Sequence, residues 1–182
     1  MVLRSTLTAA AAFFGLISVA QATPIASGSM ISFSGGAVYN DTGISFLSQG
    51  KASITADTST GSFVKAFNDG CYTCAKFSNF SFANFVNPTQ VYTATLNGAT
   101  TTLMLNSLSE VQVTSTSLEL IGTGMLTLTG YSPTPGTFYL SSQAAENAKV
   151  SFSATSTSVP EPATMFVLGA GLLGAALVRR RK

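Results

Sequence analysis

Gln90-Val91-Tyr92-Thr93-Ala94-Thr95-Leu96-Asn97-Gly98-Ala99-Thr100-Thr101-Thr102-Leu103-Met104-Leu105 decides the fold class. Residues alternate between apolar and polar on either side of Asn97-Gly98, and that dipeptide is the strongest short-range hairpin signal. The stretch therefore predicts two antiparallel strands, Gln90 to Leu96 and Thr101 to Leu105, joined across Asn97 to Thr100. The same period of two recurs outward from it. Ile31-Ser32-Phe33, Ile44-Ser45-Phe46, Phe80-Ser81-Phe82, Val111-Gln112-Val113, Met125 to Leu128 and Val150-Ser151-Phe152 all read as strand pieces. Asp57 to Gly61, Asn68-Asp69-Gly70 and Ser132 to Gly136 carry turn chemistry. No convincing helical spacing occurs in the body of the chain, apart from a short turn near Gln143 to Ala148. Many short strands between frequent turns predict an all-β antiparallel sandwich or jelly roll. A β-solenoid would need a fixed repeat, and none is present.

The two ends of the 182-residue chain read differently from its middle. Arg4 followed by the apolar run Leu7 to Ala20 and the small residues of Ala20-Gln21-Ala22 has the layout of a secretory signal peptide. Cleavage after Ala22 by signal peptidase would leave Thr23 as the first residue; cleavage after Ala20 is the alternative. At the other end, Val159-Pro160-Glu161-Pro162 precedes an apolar run from Met165 to Val178, and Arg179-Arg180-Arg181-Lys182 follows it. As a helix the uncharged stretch between Pro162 and Arg179 spans roughly 24 Å, the short end of what crosses a hydrocarbon core about 30 Å thick. The basic cluster belongs on the cytoplasmic side, which places everything before Pro160 outside. Gly169-Ala170-Gly171-Leu172-Leu173-Gly174 fits a dinucleotide-binding spacing, but it lies inside the apolar run with no strand before it and no acid after it.

Three features of the tail resemble the PEP-CTERM sorting signal of bacterial surface proteins, in the same order. They are Pro160-Glu161-Pro162, the glycine-rich stretch Leu168 to Gly174, and the basic residues Arg179, Arg180, Arg181 and Lys182. The resemblance covers about an eighth of the chain. It implies an inner-membrane intermediate, cleavage near Pro-Glu-Pro by a membrane-embedded exosortase-like enzyme, and delivery to the cell surface or outside the cell. It also implies a frequent association with exopolysaccharide. The expected organisation is a signal peptide over 1–22, an exported β domain over 23–158, and a sorting tail with a transmembrane helix over 159–182.

Removing both addresses changes the charge balance. Lys51, Lys65, Lys76 and Lys149 stand against Asp41, Asp57, Asp69, Glu110, Glu119 and Glu146, so the body is mildly acidic. It has no basic run to neutralise phosphates, which argues against nucleic-acid binding. The chain has no histidine. A Ser-His-Asp or Cys-His site cannot be built, and the commonest transition-metal ligand is missing. The expectation is no catalytic residue, no metal and no cofactor. Glu110 and Glu119 are the best pair for glycoside cleavage, weighed against solvent-facing strand residues. Asp57 near Ser59 and Gly61 reads as a turn, because one acid is too few for a calcium loop.

Cys71-Tyr72-Thr73-Cys74 is expected to form a structural disulfide in an exported protein, pinning the turn after Asn68-Asp69-Gly70. Tyr72, Phe77, Phe80, Phe82 and Phe85 form an aromatic cluster. The shared face of Phe80 and Phe82 reads as core, or, if exposed, as a platform for sugar rings. Thr93/Thr95, Thr100/Thr102, Thr114/Thr116 and Thr127/Thr129 are T-x-T pairs, each projecting onto one strand face; as a flat array they could order water as ice-binding surfaces do. The function expected from all this is an exported, non-catalytic surface or matrix protein. A carbohydrate-binding or adhesive module is the alternative, and a glycoside-cleaving enzyme the third reading.

Overall fold

A computed structural model describes residues 22–142 and 148–157. Ten strands form in chain order: β1 (Met30–Asn40), β2 (Gly43–Phe46), β3 (Lys51–Ile54), β4 (Cys71–Phe77), β5 (Phe80–Ser81), β6 (Thr89–Leu96), β7 (Ala99–Val113), β8 (Leu118–Leu128), β9 (Thr134–Ser142) and β10 (Ala148–Ser156). Neighbours run β10-β9-β8-β7-β6-β4-β3-β1, and β10 pairs back onto β1, every pair antiparallel. Eight strands thus close into a barrel. The sandwich or jelly roll that the sequence suggested is corrected here. Period-two alternation only requires one buried face per strand, and a sheet curled onto itself meets that need as well as two stacked sheets. β2 and β5 lie outside the ring as a short extension: β2 pairs the far end of β1, and β5 pairs β2.

Eight strands leave an interior just wide enough for side chains to fill. Here aromatic rings fill it. Phe33 lies 4.6 Å from Tyr92 and 5.3 Å from Phe77 between ring centres, and Phe77 stacks on Phe152 at 4.4 Å. Leu103, Leu105, Leu120, Leu126 and Leu140 complete the packing. β8 and β9 show the alternation cleanly, with every even-numbered residue from Leu118 to Leu128 and from Thr134 to Ser142 buried.

Glycine sets the tightness of the wall at one inward position. Gly124 faces Gly136 across β8 and β9, and a Cβ on Gly124 would fall 2.1 Å from the Met104 carbonyl oxygen. Register shifts in β7 between Leu105 and Ser107 and between Leu108 and Glu110 lie next to this close approach. Glycine and bulges together bend the wall.

The central hairpin forms as read, with a tighter turn. Leu96 pairs Ala99, so Asn97 and Gly98 alone make the connection, both at positive φ (51° and 76°). The turn at Asp57 (φ 59°) also forms: Asp57 N–H donates to the Asn68 carbonyl, and Asn68 Nδ2 donates to Asp57 Oδ1. A single helical turn at Val64–Phe67 was not legible in the sequence; it seats Phe67 in the core. Residues 134–136, read as turn, belong to β9. The helical turn near Gln143 to Ala148 falls on residues 143–147, outside the described residues, and Ala148 already belongs to β10.

Candidate functional site

The two ends of the described residues, around Thr23 and Thr157, meet at one pole of the barrel. Thr23 accepts a hydrogen bond from Ser132 N–H through its carbonyl, Pro24 bridges Ser132, and Ile25 is buried with its N–H on Thr134 Oγ1. Ser156, 2 % exposed, donates from Oγ to the Ala26 carbonyl at 2.5 Å and accepts the Ser29 N–H. Thr157 reaches the Pro135 carbonyl through both its N–H and its hydroxyl. The segment after Ala22 and the residue before Ser158 are therefore stitched to the same short stretch, Ser132 to Pro135. Ala22 is exposed there. Ala20, Pro160, Glu161, Pro162, Arg179, Arg180, Arg181 and Lys182 lie outside the described residues. No helix among the described residues is long and apolar enough to cross a membrane, and the apolar run Met165 to Val178 is not among them.

Cys71 and Cys74 are joined in a disulfide. Its place differs from the sequence reading. The pair lies within the first half of β4, not in the preceding turn. Ile54 faces Cys71 while Ala52 faces Ala75, so β4 carries two extra residues across this step. The disulfide closes the base of that bulge and lifts Tyr72 into solvent, 92 % exposed, with Thr73 at positive φ.

The phenylalanines that follow are inside or against the core. Phe77 and Phe80 are buried, and Phe82 and Phe85 pack against the core from its edge. The Phe80/Phe82 face is not a sugar platform; the tyrosines Tyr72 and Tyr139 are exposed instead. Sequence patterning gave little warning of this, since Tyr139 sits at an ordinary outward position of β9. Glu110 and Glu119 are diagonal neighbours on the outer wall, with Glu110 opposite Ile121 and Glu119 opposite Gln112. Such diagonals lie about 7–8 Å apart at the backbone. Glu110 accepts from Gln112 Nε2.

Three of the four T-x-T pairs come together. Thr93/Thr95, Thr100/Thr102 and Thr127/Thr129 lie side by side on β6, β7 and the end of β8. Their hydroxyls bond one another: Thr95 to Thr100 at 3.0 Å and Thr102 to Thr127 at 2.6 Å, while Thr129 Oγ1 accepts the Thr100 N–H. Thr114 instead caps the β7–β8 connection by accepting the Thr116 and Ser117 N–H groups. An array already bonded within itself has less to offer ordered water.

Residues 158–182 match the family model of the PEP-CTERM protein-sorting motif. No curated protein and no solved structure matches the chain.

Proposed function

We propose, from the PEP-CTERM protein-sorting motif at residues 158–182 and the export, membrane-associated processing and exosortase-like partner it implies, that the protein is a non-catalytic surface or matrix protein: a β-barrel freed from a signal peptide over 1–22 and from a sorting tail over 159–182. The observation that carries this reading is the junction at Thr157. The last strand, β10, ends at Ser156, Thr157 is tied to Pro135, and the matched motif begins at residue 158. The tail stays in the inner membrane until it is cut near Pro160, and the barrel stands outside with its Ser132–Pro135 pole toward the lipid. Supporting the absence of catalysis, the histidine-free composition offers no imidazole base near neutral pH.

Replacing Pro160 and Glu161 together by alanine tests this reading. The variant is expected to accumulate uncut in the inner-membrane fraction, while the natural chain is found trimmed at the surface. Equal trimming of both would overturn it.

A carbohydrate-binding role is the second reading. The depressions on the outer wall, bordered by the exposed Tyr139 and Tyr72, favour it.

A further inference from the structure

We infer that the outer wall of the barrel across β3, β1, β10, β9 and β8 is a binding groove for a neutral polysaccharide chain. This deepens the carbohydrate reading above and rests on the barrel reaching the outside of the cell. The register lines up Ser53, Ser34, Ser151, Ser141 and Glu119 on five successive strands. Four strand intervals of about 4.8 Å make this row about 19 Å long, room for several sugar rings. Ser32, Ser153 and Tyr139 form a second row beside it. The surface here is concave: two depressions of about 350 and 310 Å³ meet at Ser34 and Thr55. An exposed tyrosine borders each of them, Tyr139 in one and Tyr72, raised by the disulfide, in the other.

Two contrasts pick out this wall. The first is hydroxyl availability. On β6, β7 and β8 the threonine hydroxyls pair with one another, whereas the serines of this wall have no side-chain hydrogen bond among the described residues. Free hydroxyls on a fixed sheet both donate and accept, which matches the hydroxyls of a sugar. Tyrosine rings add flat faces for the C–H side of a pyranose, since the ring face carries negative charge density. The second contrast is charge. The charged side chains lining the depressions are the carboxylates Glu119 and Asp69, neither in an ion pair among the described residues. Carboxylates accept from sugar hydroxyls, and they repel uronic acids and sulfated chains. That selects neutral polymers. The groove lies on the side of the barrel, one or two rows above Met30 and Thr155, so the pole holding both chain ends does not cover it.

The test is affinity electrophoresis of the full chain in detergent, through gels containing dextran, a β-1,3-glucan, hydroxyethyl cellulose or alginate. Retardation by at least one neutral glucan and not by alginate is expected. Tyr139→Ala combined with Glu119→Gln should weaken that retardation at least tenfold, and Ser151→Arg should abolish it by blocking the row. Thr102→Ser, on the opposite wall, should leave it unchanged, and circular dichroism of each variant checks that the barrel is intact. Free migration in all the neutral gels overturns the inference, as does stronger retardation by alginate or equal retardation of folded groove variants. Binding is read on the purified chain, so its failure leaves the trimming experiment on Pro160 and Glu161 standing, and the reverse holds too.

Discussion

Tyr92 is the largest side chain fully enclosed by the barrel. Its hydroxyl lies near that of Thr101, and neither makes a hydrogen bond of good geometry. Burial pushes the Tyr92 phenol far above its ordinary range, and the Thr101 hydroxyl pulls only weakly the other way. The consequence for stability has a definite sign. Up to about pH 10 the phenol is neutral in folded and unfolded chains alike, so it adds no pH dependence. Above that, the unfolded phenol ionises while the buried one resists. Stability then falls by about 1.4 kcal/mol per pH unit. Tyr92→Phe removes a hydroxyl without a good partner and keeps the ring. It is expected to match or exceed the natural chain by up to about 1 kcal/mol at pH 8, and by more at pH 11, in urea unfolding monitored by circular dichroism. Gly124 is the opposite case. A methyl group there meets the backbone of Met104, which cannot swing aside. Gly124→Ala should cost about 2–4 kcal/mol in the same assay; an unchanged midpoint would show that the wall has room to relax.

Among the elements, the β6–β7 hairpin was the most legible, because Asn97 and Gly98 accept the positive φ that a two-residue turn requires. β3 and β4 were not legible. β3 is four residues long, and β4 hides its alternation behind the two extra residues at Cys71–Cys74. The cysteines were visible as a pair, but a bulge depends on the partner strand and leaves no mark on its own sequence. The same limit explains the barrel: closure is the pairing of β10 with β1, more than a hundred residues apart, and local patterns carry nothing about it. Opening the disulfide by Cys71→Ser with Cys74→Ser should lower stability by no more than about 2 kcal/mol, the loop entropy of so small a ring. β7 offers another element-scale prediction. Beyond Leu105 it pairs β8 but no longer β6, which leaves one edge of residues 106–113 without a strand partner among the described residues. Two bulges and Glu110 blunt that edge, the usual defence of a strand against pairing with another molecule. Glu110→Val should raise self-association, read by light scattering, and leave the monomer's fold intact.

At the scale of the molecule, one pole of the barrel gathers both ends of the described residues. Ile25 and Ser156 close one pole, and the chain enters and leaves beside Ser132 to Pro135. Ser156→Ala should cost about 1–2 kcal/mol, because it leaves the buried Ser29 N–H without that acceptor and loosens the strand from which the tail departs. The sorting tail itself was legible through the resemblance carried by Pro160-Glu161-Pro162, Leu168 to Gly174 and Arg179 to Lys182, and residues 158–182 match that family model. The activity of the barrel was not. Its outer wall is made of serines and threonines that look alike in sequence, and only the register separates those that bond each other from those that do not. Export and trimming at the two ends are tested most directly by the intact mass of the protein recovered from cell-surface material. A species beginning near Thr23 and ending near Val159 or Pro160, with or without an adduct, is the predicted result. Recovery only of chains that run to Lys182 would contradict it.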